Sequence, residues 1–287
     1  MPIDFSTKFC GQDGYFPDYD KAKIVIIPVP YDGTSTWIKG ADKGPEAIIE
    51  ASGTLEMYDI ETASDISKDG IYTLPPVSEK DSPETMALAL EKSLRQELDR
   101  GKFAVVIGGE HSVSIGAFKV YAEKYPDLSI LQLDAHADLR PTYEGSAFNH
   151  ACTMYQAQQY APIVQVGIRS MCQEEKAYVQ PDSMFFRQDL RRHSDWKERV
   201  ASRLSSEVYL TIDLDVLDSS IMPSTGTPEP DGLHYNDIIE LVKCLSKKVR
   251  IVGFDVVELC PNKENKAPDY LAAKLIYQIL SIIHKSK

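Results

Sequence analysis

Seven continuous apolar runs recur along the chain, and they constrain its fold more than any other feature of the sequence. Each run is short and ends in Gly, Pro, Asp or a charged residue, which is typical of strands buried on both faces of a parallel sheet. The runs lie in "AKIVIIPVPYDG" (22–33), "KFAVVIGG" (102–109), "LSILQLD" (128–134), "PIVQVGIRS" (162–170), "SMFFRQ" (183–188), "EVYLTIDLD" (207–215) and "VRIVGFDVVEL" (249–259).

Amphipathic stretches separate many of these runs and are predicted to be helices. The clearest covers residues 82–101, where Ser82 can cap the first turn, Pro83 follows it and Gly101 ends the helix. Further helices are predicted within 112–125, 194–206, 235–248 and 267–285. Strands joined by helical crossovers predict an α/β domain over residues 1–287, with a parallel sheet covered on both faces. In such sheets ligands bind beyond the carboxyl ends of the strands.

Bulk properties exclude several classes of protein. The net charge of −12 is poorly suited to binding nucleic acid or an anionic membrane, and suits a cationic small molecule better. No run of 18 apolar residues predicts a membrane span, and residues 1–14 do not resemble a secretory signal. The five cysteines are scattered, without a CxxC pair, which predicts reduced thiols and a cytoplasmic protein.

Ionisable side chains gather directly after four of the apolar runs. Residues two apart on an extended segment project to the same side, so the members of each group can converge. A turn or a helix cap explains a single Asp, but not an Asp-x-His-x-Asp run beside an Asp-x-Asp run. These side chains are Glu110, His111, Asp134, His136, Asp138, Asp213, Asp215 and Glu258.

Two imidazoles and four carboxylates among them form a nitrogen and oxygen donor set without a thiolate. Structural zinc sites usually contain Cys, and calcium sites use oxygen alone. Six donors suit two octahedral ions that share carboxylates; Mn²⁺ fits best, with Fe²⁺, Co²⁺ or Ni²⁺ as alternatives. The predicted ligands are His111, Asp134, His136, Asp138, Asp213 and Asp215.

Several motifs resemble, in order, those of the ureohydrolase family, which includes arginase and agmatinase. They are "GGEHSVSIG" (108–116), "DAHADLR" (134–140), "FNHACTMYQ" (148–156), "LTIDLDVLDSSIMPSTGTPEPDGL" (210–233) and "FDVVEL" (254–259). The segment 26–48 is similar to the agmatinase branch. The resemblance implies the three-layer αβα arginase-like fold, with about eight parallel strands, and a homo-oligomer, either a trimer or a hexamer.

The resemblance also implies the roles of individual residues. Asp134 and Asp213 would bridge two Mn²⁺ ions per chain, and a hydroxide between the ions would attack the guanidinium carbon. Asp138 would orient that hydroxide, His150 would transfer protons, and Glu258 would pair with the guanidinium. The alternatives are a surface position for His150 and a capping role for Glu258.

The implied reaction is the hydrolysis of a linear guanidine, in the first place agmatine to putrescine and urea in polyamine biosynthesis. Arginase carries Asn at the place of Arg140, so arginine is not expected; aminopropyl-agmatine and guanidinobutyrate remain as alternatives. The substrate tail is predicted to lie near Trp37, residues 140–149 including Asn149, and residues 224–229 including Glu229. Possible partners for its amine also include Tyr143 and Glu144.

Arg140 has two interpretations. Facing the pocket, it would repel an amine and attract a carboxylate; we favour the other interpretation, in which it turns away and pairs with a structural acid. Two functions from other classes remain open for the chain. One is a metal-dependent deacetylase of the same fold with a single Zn²⁺, and the other is a non-catalytic relative that binds polyamine.

Overall fold

A single sheet of eight parallel strands forms the centre of the molecule, as the sequence predicts. The computed structural model describes residues 8–11 and 18–285. The strands are β1 Ile24–Val29, β2 Ile71–Thr73, β3 Phe103–Gly108, β4 Leu128–Leu133, β5 Ile163–Ile168, β6 Met184–Phe186, β7 Glu207–Asp213 and β8 Arg250–Val257. Their order across the sheet is β2-β1-β3-β8-β7-β4-β5-β6, with every neighbouring pair parallel.

Helices cover both faces of the sheet, giving three layers. The helices are α1 Gly44–Ser52, α2 Pro83–Asp99, α3 Ile115–Lys124, α4 Thr153–Ala157, α5 Arg187–Leu190, α6 Trp196–Ala201, α7 Tyr235–Ser246 and α8 Ala267–Lys285. Side chains of α1, α6, α7 and α8 join one hydrophobic core, and those of α2, α3 and α4 join the other. Among the described residues, no helix combines the length and apolarity needed to cross a membrane.

Strand β1 shows why the apolar runs are continuous. Ile24 and Ile26 enter the core on the α8 face, whereas Val25 and Ile27 enter the core on the α2 face. Every residue of β1 is buried, because side chains alternate between two faces and both faces are covered.

The structure departs from the sequence prediction at short elements. β2 has only three residues and was not predicted, and α1 lies in a segment that we had not assigned to a helix. The helix predicted over 112–125 begins as a 3₁₀ turn, His111–Ser114, before α3. α6 is shorter than the predicted 194–206. All five cysteines are free thiols. Most of residues 1–14 lies outside the described residues, and the single domain over 1–287 stays a prediction.

Candidate metal centre

Three of four neighbouring strands, β3, β4 and β7, supply the predicted metal ligands, and the fourth, β8, supplies Glu258. β3, β8, β7 and β4 are consecutive in the sheet, so the loops at their carboxyl ends share one edge. Gly109 allows the loop after β3 to pass close to the loop after β1, since a Cβ there would lie 1.9 Å from the carbonyl oxygen of Tyr31. The order of the strands therefore brings together groups that are far apart in the sequence.

The first group of ligands surrounds His111, a side chain that is only 1% exposed. Its Nδ1 lies 3.1 Å from Asp134 Oδ2, 3.2 Å from Asp138 Oδ2 and 3.4 Å from Asp213 Oδ2. His111, Asp134 and Asp213 each offer one atom to a common point, as the ligands of a metal ion do.

The second group surrounds His136. Its Nδ1 lies 2.8 Å from Asp215 Oδ2 and 3.6 Å from Asp134 Oδ1. Asp134, His136 and Asp215 again offer atoms to a common point, and Asp134 belongs to both groups. The six residues predicted as ligands are therefore assembled around two adjacent places, which share at least Asp134.

The hydrogen bonds around His111 show whether the site fits a metal ion. Its Nε2 lies 3.0 Å from Thr211 Oγ1, and that hydroxyl donates to Asp255 Oδ1 at 2.6 Å. Thr211 therefore accepts the proton of Nε2, so that in the neutral ring, the form that binds a metal ion, Nδ1 carries none. This Nδ1 is buried and has no hydrogen-bond partner, although it faces three carboxylates. An unprotonated imidazole nitrogen among carboxylate oxygens fits a divalent cation of the Mn²⁺ type.

The pKa values of the buried carboxylates also indicate a site for cations. Burial, together with the charge of Asp134, raises the pKa of Asp138 to about 7. Burial and the neighbouring Asp215 raise the pKa of Asp213 well above its ordinary value. Crowded carboxylates resist ionisation together unless a cation lies among them. The metal-free site therefore holds protons that bound cations would replace.

Backbone geometry also marks two of the predicted catalytic residues. Asp138 and Glu258 adopt left-handed φ angles of 52° and 68°. Such conformations cost about 1–3 kcal/mol for non-glycine residues, and they collect at functional sites. Glu258 is held on both sides: its amide donates to Gly109 O and its Oε1 accepts from His111 N, each at 2.7 Å.

A cavity of about 340 Å³ opens above the two groups. Its lining includes five of the six metal-ligand candidates, all but Asp134, together with His150 and Glu258. His150 thus faces the cavity rather than bulk solvent, with its side chain 22% exposed. Burial lowers the pKa of this imidazole to about 4, assisted by positive charge on His111 and His136. Burial also raises the pKa of Glu258 well above its usual value.

The residues predicted for the substrate tail are only partly placed there. Tyr143 and Thr227 line the cavity, but Trp37 does not. The Trp37 side chain is 70% exposed, because its loop presents Thr36 to the cavity instead. Asn149 is buried and caps the turn at His150, accepting from Ala151 N.

Two further acids named for the tail lie outside this cavity lining. Glu229 Oε1 is 3.8 Å from His136 Nε2, and Glu144 lies on the loop above, at a left-handed φ of 47°. Sequence reasoning missed one whole side of the cavity, which follows the carboxyl end of β5. This side is formed by Ser170, Met171, Cys172 and Glu175. The sequence feature that could have indicated it is the segment "RSMC" (169–172), which lies at the end of a predicted strand.

The interpretation that Arg140 turns away from the pocket and pairs with a structural acid is wrong. Arg140 lines the cavity, and its guanidinium lies 4.5 Å from the centre of the Tyr143 ring. No carboxylate among residues 8–11 and 18–285 forms an ion pair with it. The aromatic face of Tyr143 takes the place of the expected structural acid.

Comparison with known proteins identifies the family of the chain. The model of the arginase family matches residues 22–281. The N(1)-aminopropylagmatine ureohydrolase of Synechocystis is 34% identical over 275 residues, which cover 91% of this chain and 89% of that protein. The agmatinase of Pyrococcus horikoshii is 32% identical, covering 92% and 93%. The crystal structure of the agmatine ureohydrolase of Thermoplasma volcanium matches with a TM-score of 0.85 at 32% identity, covering 94% of this chain and 92% of that one. The chain therefore belongs to the arginase family, shares its fold, and is a ureohydrolase.

Proposed function

We propose that this protein is a Mn²⁺-dependent amidinohydrolase that holds two ions per chain and converts a linear guanidine and water into an amine and urea. The observation that carries the proposal is the pair of candidate ligand groups at the floor of the cavity. The two groups have Asp134 in common. Two metal ions held by these groups would supply an activated water as the nucleophile.

The chain's own residues would perform the remaining work. Glu258 has one oxygen committed to the amide of His111, so its other oxygen is the group that would receive the guanidinium. His150 would accept a proton released in the cavity and pass it to the leaving amine, because its low pKa keeps the imidazole neutral and able to accept. Asp138, buried beside both groups, would orient the attacking water.

Agmatine is the substrate that we propose, with putrescine and urea as products. The names of the Synechocystis and Pyrococcus horikoshii relatives support a substrate that is a guanidine with an amine tail, either agmatine or its aminopropyl derivative. Arg140 is the observation that favours a second candidate. A cation in the cavity would attract a carboxylate, as in guanidinobutyrate, and would repel a nearby amine.

The test is urea release by the Mn²⁺-loaded protein, measured on agmatine, aminopropyl-agmatine, guanidinobutyrate and arginine, together with the metal content per chain. The expected result is about two ions per chain, the highest kcat/KM on agmatine and none measurable on arginine. One ion per chain together with amide hydrolysis would favour the deacetylase function instead. No turnover on any guanidine, with polyamine still bound, would favour the binding protein.

Two further properties remain proposals. A homo-oligomer, trimer or hexamer, rests on the resemblance to the family, and sedimentation of the purified protein tests it. A cytoplasmic location rests on the five unpaired thiols, which suit a reducing compartment.

A further inference from the structure

The hydroxyl of Thr34 contacts three groups at the edge of the cavity. It donates to Glu110 Oε2, a carboxylate that is fully buried. It accepts from the backbone amide of His150 at 3.0 Å. Its third neighbour is Nδ1 of the His150 ring, also at 3.0 Å.

Counting protons and lone pairs decides the direction of the third contact. A threonine hydroxyl has one proton to donate and two lone pairs to offer. The proton is directed to Glu110, and one lone pair accepts from the His150 amide. Only a lone pair remains for the ring, so Nδ1 must carry a proton.

We infer that Thr34, oriented by Glu110, is a positioning residue that holds His150 in the Nδ1-protonated tautomer and leaves Nε2 as the nitrogen that exchanges protons in the cavity. Nε2 makes no hydrogen bond with any other residue that the structure describes. The ring lines the cavity, so this nitrogen is the one within reach of a substrate.

The surroundings hold Thr34 and Glu110 in place from several directions. The amide of Glu110 donates to Tyr31 O at 2.9 Å, which joins the loops after β3 and β1. Ser112 Oγ donates to the second oxygen of the same carboxylate. On the far side of Thr34, Asp32 Oδ2 accepts from Gly40 N at 2.6 Å and closes the loop. The contact with His150 therefore joins two loops that are each independently anchored.

The inference extends the proposed function and rests on it for its consequence in the reaction. The inferred tautomer turns an unprotonated Nε2 to the cavity, where it can accept a proton and then pass it to the leaving amine; in the opposite tautomer Nε2 already holds a proton and can accept none. The tautomer itself can be measured without turnover. Failure of the inference can therefore be separated from failure of the proposed function.

The experiment is nitrogen NMR of full-length protein with ¹⁵N-labelled histidine, loaded with diamagnetic Zn²⁺, at about pH 8. Six histidines give a small set of signals, and His150→Asn identifies the one of interest. In wild type, Nδ1 of His150 should carry the proton and Nε2 should not. A proton on Nε2 in wild type would overturn the inference.

Two variants of Thr34 and a control complete the test. Thr34→Val removes the hydroxyl at nearly equal volume and should move the His150 proton partly or fully to Nε2. Thr34→Ser keeps the hydroxyl and should keep the wild-type tautomer. Thr36→Val, on the same loop, should leave the tautomer unchanged. An unchanged tautomer in folded Thr34→Val would show that Thr34 only caps the backbone, and would also overturn the inference.

Kinetics give a second readout with Mn²⁺-loaded enzyme. Thr34→Val should lower kcat by about 10–100-fold while KM stays within a factor of about two, and Thr34→Ser should restore most of the loss. A rise in KM without a change in kcat would contradict a role in proton transfer.

Discussion

His111 and His150 are each held by a threonine hydroxyl that contacts a buried carboxylate. The contact is made through opposite nitrogens of the two rings. Thr211 and Asp255 hold His111 through Nε2, so its free Nδ1 points at three carboxylates. Thr34 and Glu110 hold His150 through Nδ1. One arrangement prepares a nitrogen for a metal ion, and the other prepares a nitrogen for a proton.

The surroundings of the two rings enforce that difference. His111 is buried among carboxylates: burial alone would lower its pKa, but the adjacent carboxylates of Asp134, Asp138 and Asp213 raise it well above the ordinary value. His150 lies apart from those acids, and burial lowers its pKa to about 4. Similar supports therefore produce a cation-binding position in one place and a neutral, proton-exchanging ring in the other.

The largest effect should come from removing the carboxylate common to both metal groups. Asp134→Asn should lose both metal ions and all measurable turnover, because each group then lacks a charged ligand. Metal content by elemental analysis and urea release measure this. Asp213→Asn is predicted to behave alike, and Asp182→Asn, an exposed acid far from the site, serves as the control. Full occupancy in Asp134→Asn would show that this carboxylate does not bridge.

The next largest effect should separate the two histidines. His150→Asn should keep about two ions per chain but lose turnover by about 10²–10⁴-fold, the usual contribution of an acid or base. The same assays measure this, with wild type in parallel. Loss of metal from His150→Asn would place His150 among the ligands and remove the distinction between the rings.

A smaller effect should follow when the threonines are exchanged for valine. Thr211→Val frees His111 Nε2 from its acceptor and should weaken metal affinity by about 10–100-fold, as loss of a ligand's outer partner does. Thr34→Val should leave metal affinity unchanged. Titration with Mn²⁺ measures both, and Thr211→Ser should restore affinity if the hydroxyl is the cause. Equal losses in both valine variants would contradict the comparison.

The sequence predicted which side chains gather at the candidate centre better than it predicted the groups that hold them. Asp134 and His136 follow a continuous apolar run, and their spacing alone places them on one side of the chain. The threonines carry no such signal. Thr211 reads as an ordinary strand residue, and its contact with His111 joins positions 100 apart. Thr34 meets Glu110 across 76 positions. Such pairs depend on the order of strands in the sheet, which local patterns do not encode.

In the fold, too, only the elements with a strong local sequence pattern were predicted. Seven strands were predicted because each is a continuous apolar run buried on both faces. β2 was missed because Ile71–Thr73 is too short to form a pattern and lies beside prolines. Side-chain direction in loops was no easier to predict. Trp37 turns to solvent and Arg140 lines the cavity, because loops lack the regular alternation that assigns residues to faces.

The smallest expected effect concerns Arg140, which belongs to the His150 side of the comparison. Its amide donates to Ala151 O at 3.1 Å, beside His150. Its guanidinium lies over Tyr143, whose ring meets the His150 ring edge-on at 6.3 Å. The metal side of the cavity therefore gathers acids, while the proton-transfer side carries a permanent cation.

Arg140→Met keeps an unbranched stem and removes the charged guanidinium. We expect the variant to raise kcat/KM for agmatine relative to guanidinobutyrate by about tenfold, which corresponds to about 1.4 kcal/mol of charge interaction with the tail. Kinetics of both substrates in both proteins measure this. Arg192→Met, which removes a mostly exposed arginine, should leave the ratio unchanged. A ratio that does not move in Arg140→Met would show that the tail lies beyond the reach of this cation. If wild type prefers guanidinobutyrate and the variant loses that preference, Arg140 is the specificity residue and agmatine is not the substrate.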